Sequence, residues 1–121
     1  MKYLGIDYGE AKIGLAVSEG ELAEPWGVVS SKHQVASICQ KEKIEKIIIG
    51  LSENKIGEKT KKFGEELEKL TGLPVVYQDE TLTSQTATKK MVEAGKKRSQ
   101  RKLDQHAIAA ALILQDWLDN N

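Results

Sequence analysis

The sequence predicts an α/β fold: a five-stranded mixed sheet with helices against its faces, in the order βββαβαβα. Three observations carry this. The first three strand-like runs are joined by short connections, which suit an antiparallel meander. Two later strand-like runs each follow a stretch of helical periodicity, long enough to return the chain parallel. One of them contains Ile47-Ile48-Ile49, a continuous β-branched run of the kind covered on both sheet faces.

Each element has its own signal. Residues 2–7 and 12–18 are apolar runs around a short polar connection, which reads as a hairpin. Residues 24–31, around Trp26, Val28 and Val29, form a third strand. Pro25 near its start suits a sheet edge, because proline cannot donate to a ladder. Residues 32–43 place Val35, Ile38 and Cys39 at helical spacing. Residues 44–50 are the fourth strand, and 51–57 are a polar loop. Residues 58–71 put Phe63, Leu67 and Leu70 on one helix face, with Gly72 as the stop. The rest of that helix is Lys and Glu, a solvated face. Residues 74–78 are the fifth strand. Thr83 or Ser84 can cap a helix through Ala87 and Met91 that stops at Gly95. A last helix from Leu103 carries the stripe Leu103, Ala107, Ala110, Ala111, Leu114 and Leu118.

The 121 residues suffice for a single domain, 1–121, with one core. Lys+Arg and Asp+Glu number 18 each, so only the placement of charge can indicate a polyanionic partner. One cysteine, Cys39, excludes an internal disulfide, and its apolar neighbours mark a buried, inert thiol. No apolar run approaches a membrane span, and the start has no signal-peptide pattern. A soluble cytoplasmic protein is expected.

Asp7 ends the first strand between Gly5 and Gly9. A carboxylate in strand sequence costs desolvation unless it pairs, hydrogen-bonds or binds a cation. Either Asp7 belongs to a metal or phosphate site, or it ends the strand and bonds turn amides. Glycines beside it mark a close approach of backbone or ligand. Glu80, preceded by Asp79, follows the fifth strand, and Asp104 opens the last helix. This fold could bring those acids to Asp7. A few carboxylates can hold the two divalent cations of phosphodiester hydrolysis. Alternatively, Asp104 favours a helix N-terminus and Glu80 is a solvated loop residue. His33 and His106 are isolated in sequence and read as structural or surface residues. Trp26 and Trp117 read as core residues or interface cover.

Four blocks, in order, resemble the YqgF/RuvX family: Ile6-Asp7-Tyr8-Gly9 with 12–18; Ile49-Gly50-Leu51; Asp79-Glu80 with Leu82-Thr83; and Leu103-Asp104 with Ala109-Ala110 and 113–115. The resemblance spans nearly the whole chain. It implies an RNase H-like fold similar to the resolvase RuvC, with Asp7, Glu80 and Asp104 as catalytic metal ligands and Asp79 as a supporting acid. The implied cofactor is Mg²⁺ or Mn²⁺. The implied activity is a nuclease maturing the 5′ end of precursor 16S ribosomal RNA. The alternatives are a Holliday-junction resolvase-like DNA endonuclease and a non-catalytic nucleic-acid-binding relative. An ATP-binding domain of the actin and sugar-kinase class shares the strand meander, but it needs a second domain that 121 residues do not provide.

The chain departs from the family at Lys12 and Thr81, where arginine is usual, and at Ser52, where proline is usual. Lysine keeps the charge but loses the planar fork that grips phosphate. Lys12 and the basic stretch Lys96, Lys97, Arg98, Arg101 and Lys102, directly before Asp104, are the candidate contacts to nucleic acid. The stretch can equally be a solvated loop. The expected partners are structured RNA or branched DNA, with no membrane, and the protein is expected as a monomer or weak homodimer.

Overall fold

The computed structural model describes residues 1–9, 11–51, 56–79 and 105–120. The elements are β1 (Tyr3–Tyr8), β2 (Ile13–Ser18), β3 (Ala23–Val29), α1 (Lys32–Glu42), β4 (Lys46–Leu51), α2 (Ile56–Thr71), β5 (Val75–Asp79) and α3 (Gln105–Asn120). Predicted boundaries shift by one or two residues, the usual uncertainty of an element end. The helix expected through Ala87 and Met91 lies outside the described residues.

The five strands form one sheet in the order β3-β2-β1-β4-β5. β1, β2 and β3 are an antiparallel meander, while β4 pairs in parallel with both β1 and β5. The proline-bearing β3 lies at the edge, as its missing donor requires. β1 is central, with β2 on one side and β4 on the other.

Instead of the single core expected from the chain length, alternation along the strands builds two, one on each sheet face. Leu4, Ile6, Leu15, Ile47 and Ile49 pack with Val35, Ile38 and Cys39 of α1 and Phe63 and Leu67 of α2. On the opposite face, Ala16 and Ile48 pack under Ala110, Ala111, Ile113 and Leu114 of α3. Ile47, Ile48 and Ile49 are all fully buried, which is why that run has no polar alternate. At about 25 cal/mol per Å², each such side chain contributes roughly 1.5–3 kcal/mol of transfer free energy.

The helix ends follow from their residues. Ser31 caps α1, accepting from the Gln34 amide, and the Gln34 side chain returns the bond. Lys43 ends that helix in the left-handed region at φ 56. Gly72 ends α2 at φ +73, and its N–H donates to the Glu68 carbonyl. Leu70, at the end of the face that carries Phe63 and Leu67, is 45% exposed. Trp26 is also 45% exposed on the edge strand, so it is not a core residue. Trp117 does serve as cover, edge-on to Tyr3 at 5.1 Å with the Lys46 ammonium 5.2 Å from its ring centroid.

Candidate active site

Asp7 lies one residue before the C-terminal end of β1, the central strand. In open α/β sheets ligands bind outside the carboxyl ends of the parallel strands, here β1, β4 and β5. Asp7 shares its sheet face with Gly5 and Tyr3, on the α3 side. Its antiparallel partner on β2 is Gly14. On the other flank, Ile6 pairs with Ile49, so the next position along β4 is Gly50. The carboxylate therefore stands between two positions that carry no side chain.

One of those positions admits a helix. A Cβ added at Gly14 would lie 2.0 Å from the His106 carbonyl oxygen and 2.8 Å from the Ala107 nitrogen. Gly5 does the same about two turns further on, where a Cβ would lie 2.6 Å from Leu114 Cβ. These glycines thus serve the approach of α3 to the sheet. The first turn of α3 is thereby pressed onto β2, and the His106 ring comes beside Asp7. Nδ1 of His106 and Oδ2 of Asp7 are 3.1 Å apart. An ionised carboxylate can only accept, so Nδ1 carries the proton in that state.

His106 is the functional candidate that sequence reading missed. Isolated in sequence and 42% exposed, it has the marks of a structural or surface histidine, but it touches the proposed ligand. The Asp7 side chain is only 20% exposed. Burial pushes its carboxyl above the usual aspartate range, against a smaller opposing pull from the His106 hydrogen bond and charge. A half-buried hard oxygen donor with that charge cost fits a divalent cation of the magnesium kind, which would offset it. Among the described residues no group of three His, Cys, Asp or Glu side chains gathers.

The other predicted acids meet the edge of what is described. β5 ends at Asp79, whose side chain lies outside the described residues, as does Glu80. Asp104 lies outside too, one residue before α3 begins beside Asp7. Gln78, in register with Gly50, donates from Nε2 to Oδ2 of Asp116 on α3, tying β5 to that helix. Lys12 is exposed, and its carbonyl accepts from the Gly9 N–H at 3.0 Å, closing the β1–β2 turn. Lys96, Lys97, Arg98, Arg101 and Lys102 lie outside the described residues, as do Ser52 and Thr81.

A family model described as RuvX, Holliday junction resolvase, matches residues 1–120. The chain belongs to the RuvX family. It is 35% identical to a protein of Agathobacter rectalis, provisionally named pre-16S rRNA nuclease, over 98% of this chain and 95% of that one. A Rickettsia canadensis protein of the same name is 37% identical, over 97% of this chain and 85% of that one. Among solved structures, RuvC of Thermus thermophilus superposes with a TM-score of 0.66 at 18% identity, over 93% of this chain and 92% of RuvC. The fowlpox virus Holliday junction resolvase gives 0.62 at 11% identity, over 99% of each chain. The RuvX chain thus has the RNase H-like fold that its motifs implied.

Proposed function

We propose that this RuvX chain is a metal-dependent nuclease that hydrolyses phosphodiester bonds in precursor 16S ribosomal RNA, in maturation of its 5′ end. The observation that carries the reading is the Asp7 carboxylate, half-buried at the end of the central strand and held by His106. Asp7, Glu80 and Asp104 would hold Mg²⁺ or Mn²⁺, with Asp79 supporting them. Bound divalent cations supply an activated water and neutralise phosphoryl oxygens. The chain's own part is positional. His106 fixes the Asp7 rotamer, Gly14 lets α3 approach, and β5 and α3 bring the chain to within one residue of Glu80 and Asp104. Lys12 and the stretch Lys96, Lys97, Arg98, Arg101 and Lys102 would grip phosphates. The unit 1–121 would work as one cytoplasmic domain, monomeric or weakly dimeric. Among the described residues no helix is long and apolar enough to cross a membrane.

The names of the 35% and 37% identical relatives favour ribosomal RNA. A branched-DNA endonuclease is the second reading, because Thermus thermophilus RuvC and the fowlpox resolvase have each been solved with Holliday junction substrate. Cleavage assays with Mg²⁺ or Mn²⁺ on precursor 16S RNA, junction DNA and ATP separate the readings. Metal-dependent cutting of the RNA at its 5′ leader is expected. Cutting of junction DNA alone would favour the second reading, and turnover of ATP alone would reject both.

A further inference from the structure

A cleft of about 420 Å³ opens at the end of β1, on the sheet face covered by α1 and α2. It begins at Tyr8, the residue after Asp7. Because side chains alternate, Asp7 faces one side of this sheet end and the cleft lies on the other. Its walls carry Lys32 from α1 and Lys59 and Lys62 from α2. Glu66 is the acid among its described lining residues, and it pairs with Lys32. The chain as a whole has zero net charge, so this concentration of lysine is local. The floor is the Tyr8 ring against Phe63, with centroids 4.5 Å apart. These rings pack on each other. The Ser31–Gln34 capping box already engages the start of α1. Lys59 and Lys62 are exposed, so their ammonium groups can exchange a surface partner for a phosphate and supply the recognition.

Lysines around an open, base-blind cleft suit phosphates rather than base edges. We infer that this cleft holds the phosphodiester backbone of the strand that flanks the scissile phosphate, as it crosses the sheet end past Asp7. The inference rests on the nuclease reading of Asp7 and adds a second contact surface, independent of residues 96–102.

The test is binding of a labelled single-stranded RNA, and of duplex DNA of the same sequence, across a KCl series in EDTA. Lys59 and Lys62 are exposed, so Lys59→Gln with Lys62→Gln leaves the core intact. A control pair, Lys41→Gln on α1 with Lys69→Gln in the last turn of α2, makes the same charge change away from the cleft. The cleft pair should weaken both ligands alike and flatten the plot of log affinity against log salt by roughly 0.7–0.9 per lost phosphate contact. The control pair should leave the slope unchanged. Equal slopes for wild type and cleft pair, or equal losses in both pairs, overturn the inference. Displacement of RNA by inorganic phosphate far below the ionic strength at which chloride displaces it would make the cleft a small-anion pocket, and also overturns it. Wild-type protein that binds and cleaves RNA while the cleft pair changes nothing rejects this inference alone. Wild-type protein that neither binds nor cleaves any nucleic acid rejects the nuclease reading beneath it.

Discussion

A carboxyl raised by burial binds its proton more tightly in the folded chain than in the unfolded one, and for Asp7 that gives the pH effect its sign. Between the ordinary aspartate value, about 3.9, and the raised folded value, the native state holds more protons. Its contribution to stability therefore falls as pH rises through that window and stays low above it. Metal-free Asp7→Asn protein should melt higher than wild type at neutral pH, with the gain vanishing below about pH 4. Thermal melts across pH check this, and a gain that persists at low pH would contradict it. His106 acts on the same atom from outside. Hydrogen-bonding partners of metal ligands typically carry 10–100-fold in affinity or activity. His106→Ala should cost roughly that much in cleavage while melting near wild type, and His106→Asn, which keeps a donor, should recover part of it. Cys39 takes no part: burial raises its thiol to about 11, so at neutral pH it stays protonated and inert, as its apolar neighbours suggested.

At the scale of the element, the decisive contact is between α3 and β2. Gly14→Ala would drive a Cβ into the backbone of His106, which a side-chain rotation cannot relieve. The expected loss is about 2–3 kcal/mol, read by urea unfolding, with cleavage falling further than stability because His106 moves off Asp7. Stability within about 0.5 kcal/mol of wild type would mean that the helix can shift without cost. This contact also shows where sequence reading stopped. The strands were legible because Ile47-Ile48-Ile49 and the first hairpin carry their burial in their own pattern. Pro25 marked the sheet edge, and Gly72 marked a helix end; the Ser31 cap did not stand out from the strand before it. Local pattern says nothing of register between distant segments. Asp7 and His106 are 99 residues apart in sequence, and only the pairing of Asp7 with Gly14 brings them together. Gly5 carried a partial signal: a close approach was expected there, and it proved to be a helix. Leu70 and Trp26 are each 45% exposed, because local pattern does not show how far a neighbouring element covers a residue.

For the whole molecule, a neutral chain separates its charges by place. An acid stands at the end of the central strand, and lysines line the cleft beside it. The fold follows from strand and helix patterns along most of the chain, and the RuvX match over residues 1–120 agrees with it. The central claim is that Asp7 is a metal ligand in a nuclease. The most direct measurement compares wild-type and Asp7→Asn protein, each shown to be folded, on precursor 16S RNA carrying its 5′ leader, with Mg²⁺ or Mn²⁺ and with EDTA. Wild type should cut only with the cation, and Asp7→Asn should cut slower by about two orders of magnitude or more. Cleavage by Asp7→Asn at the wild-type rate, in preparations free of other nucleases, would contradict the account.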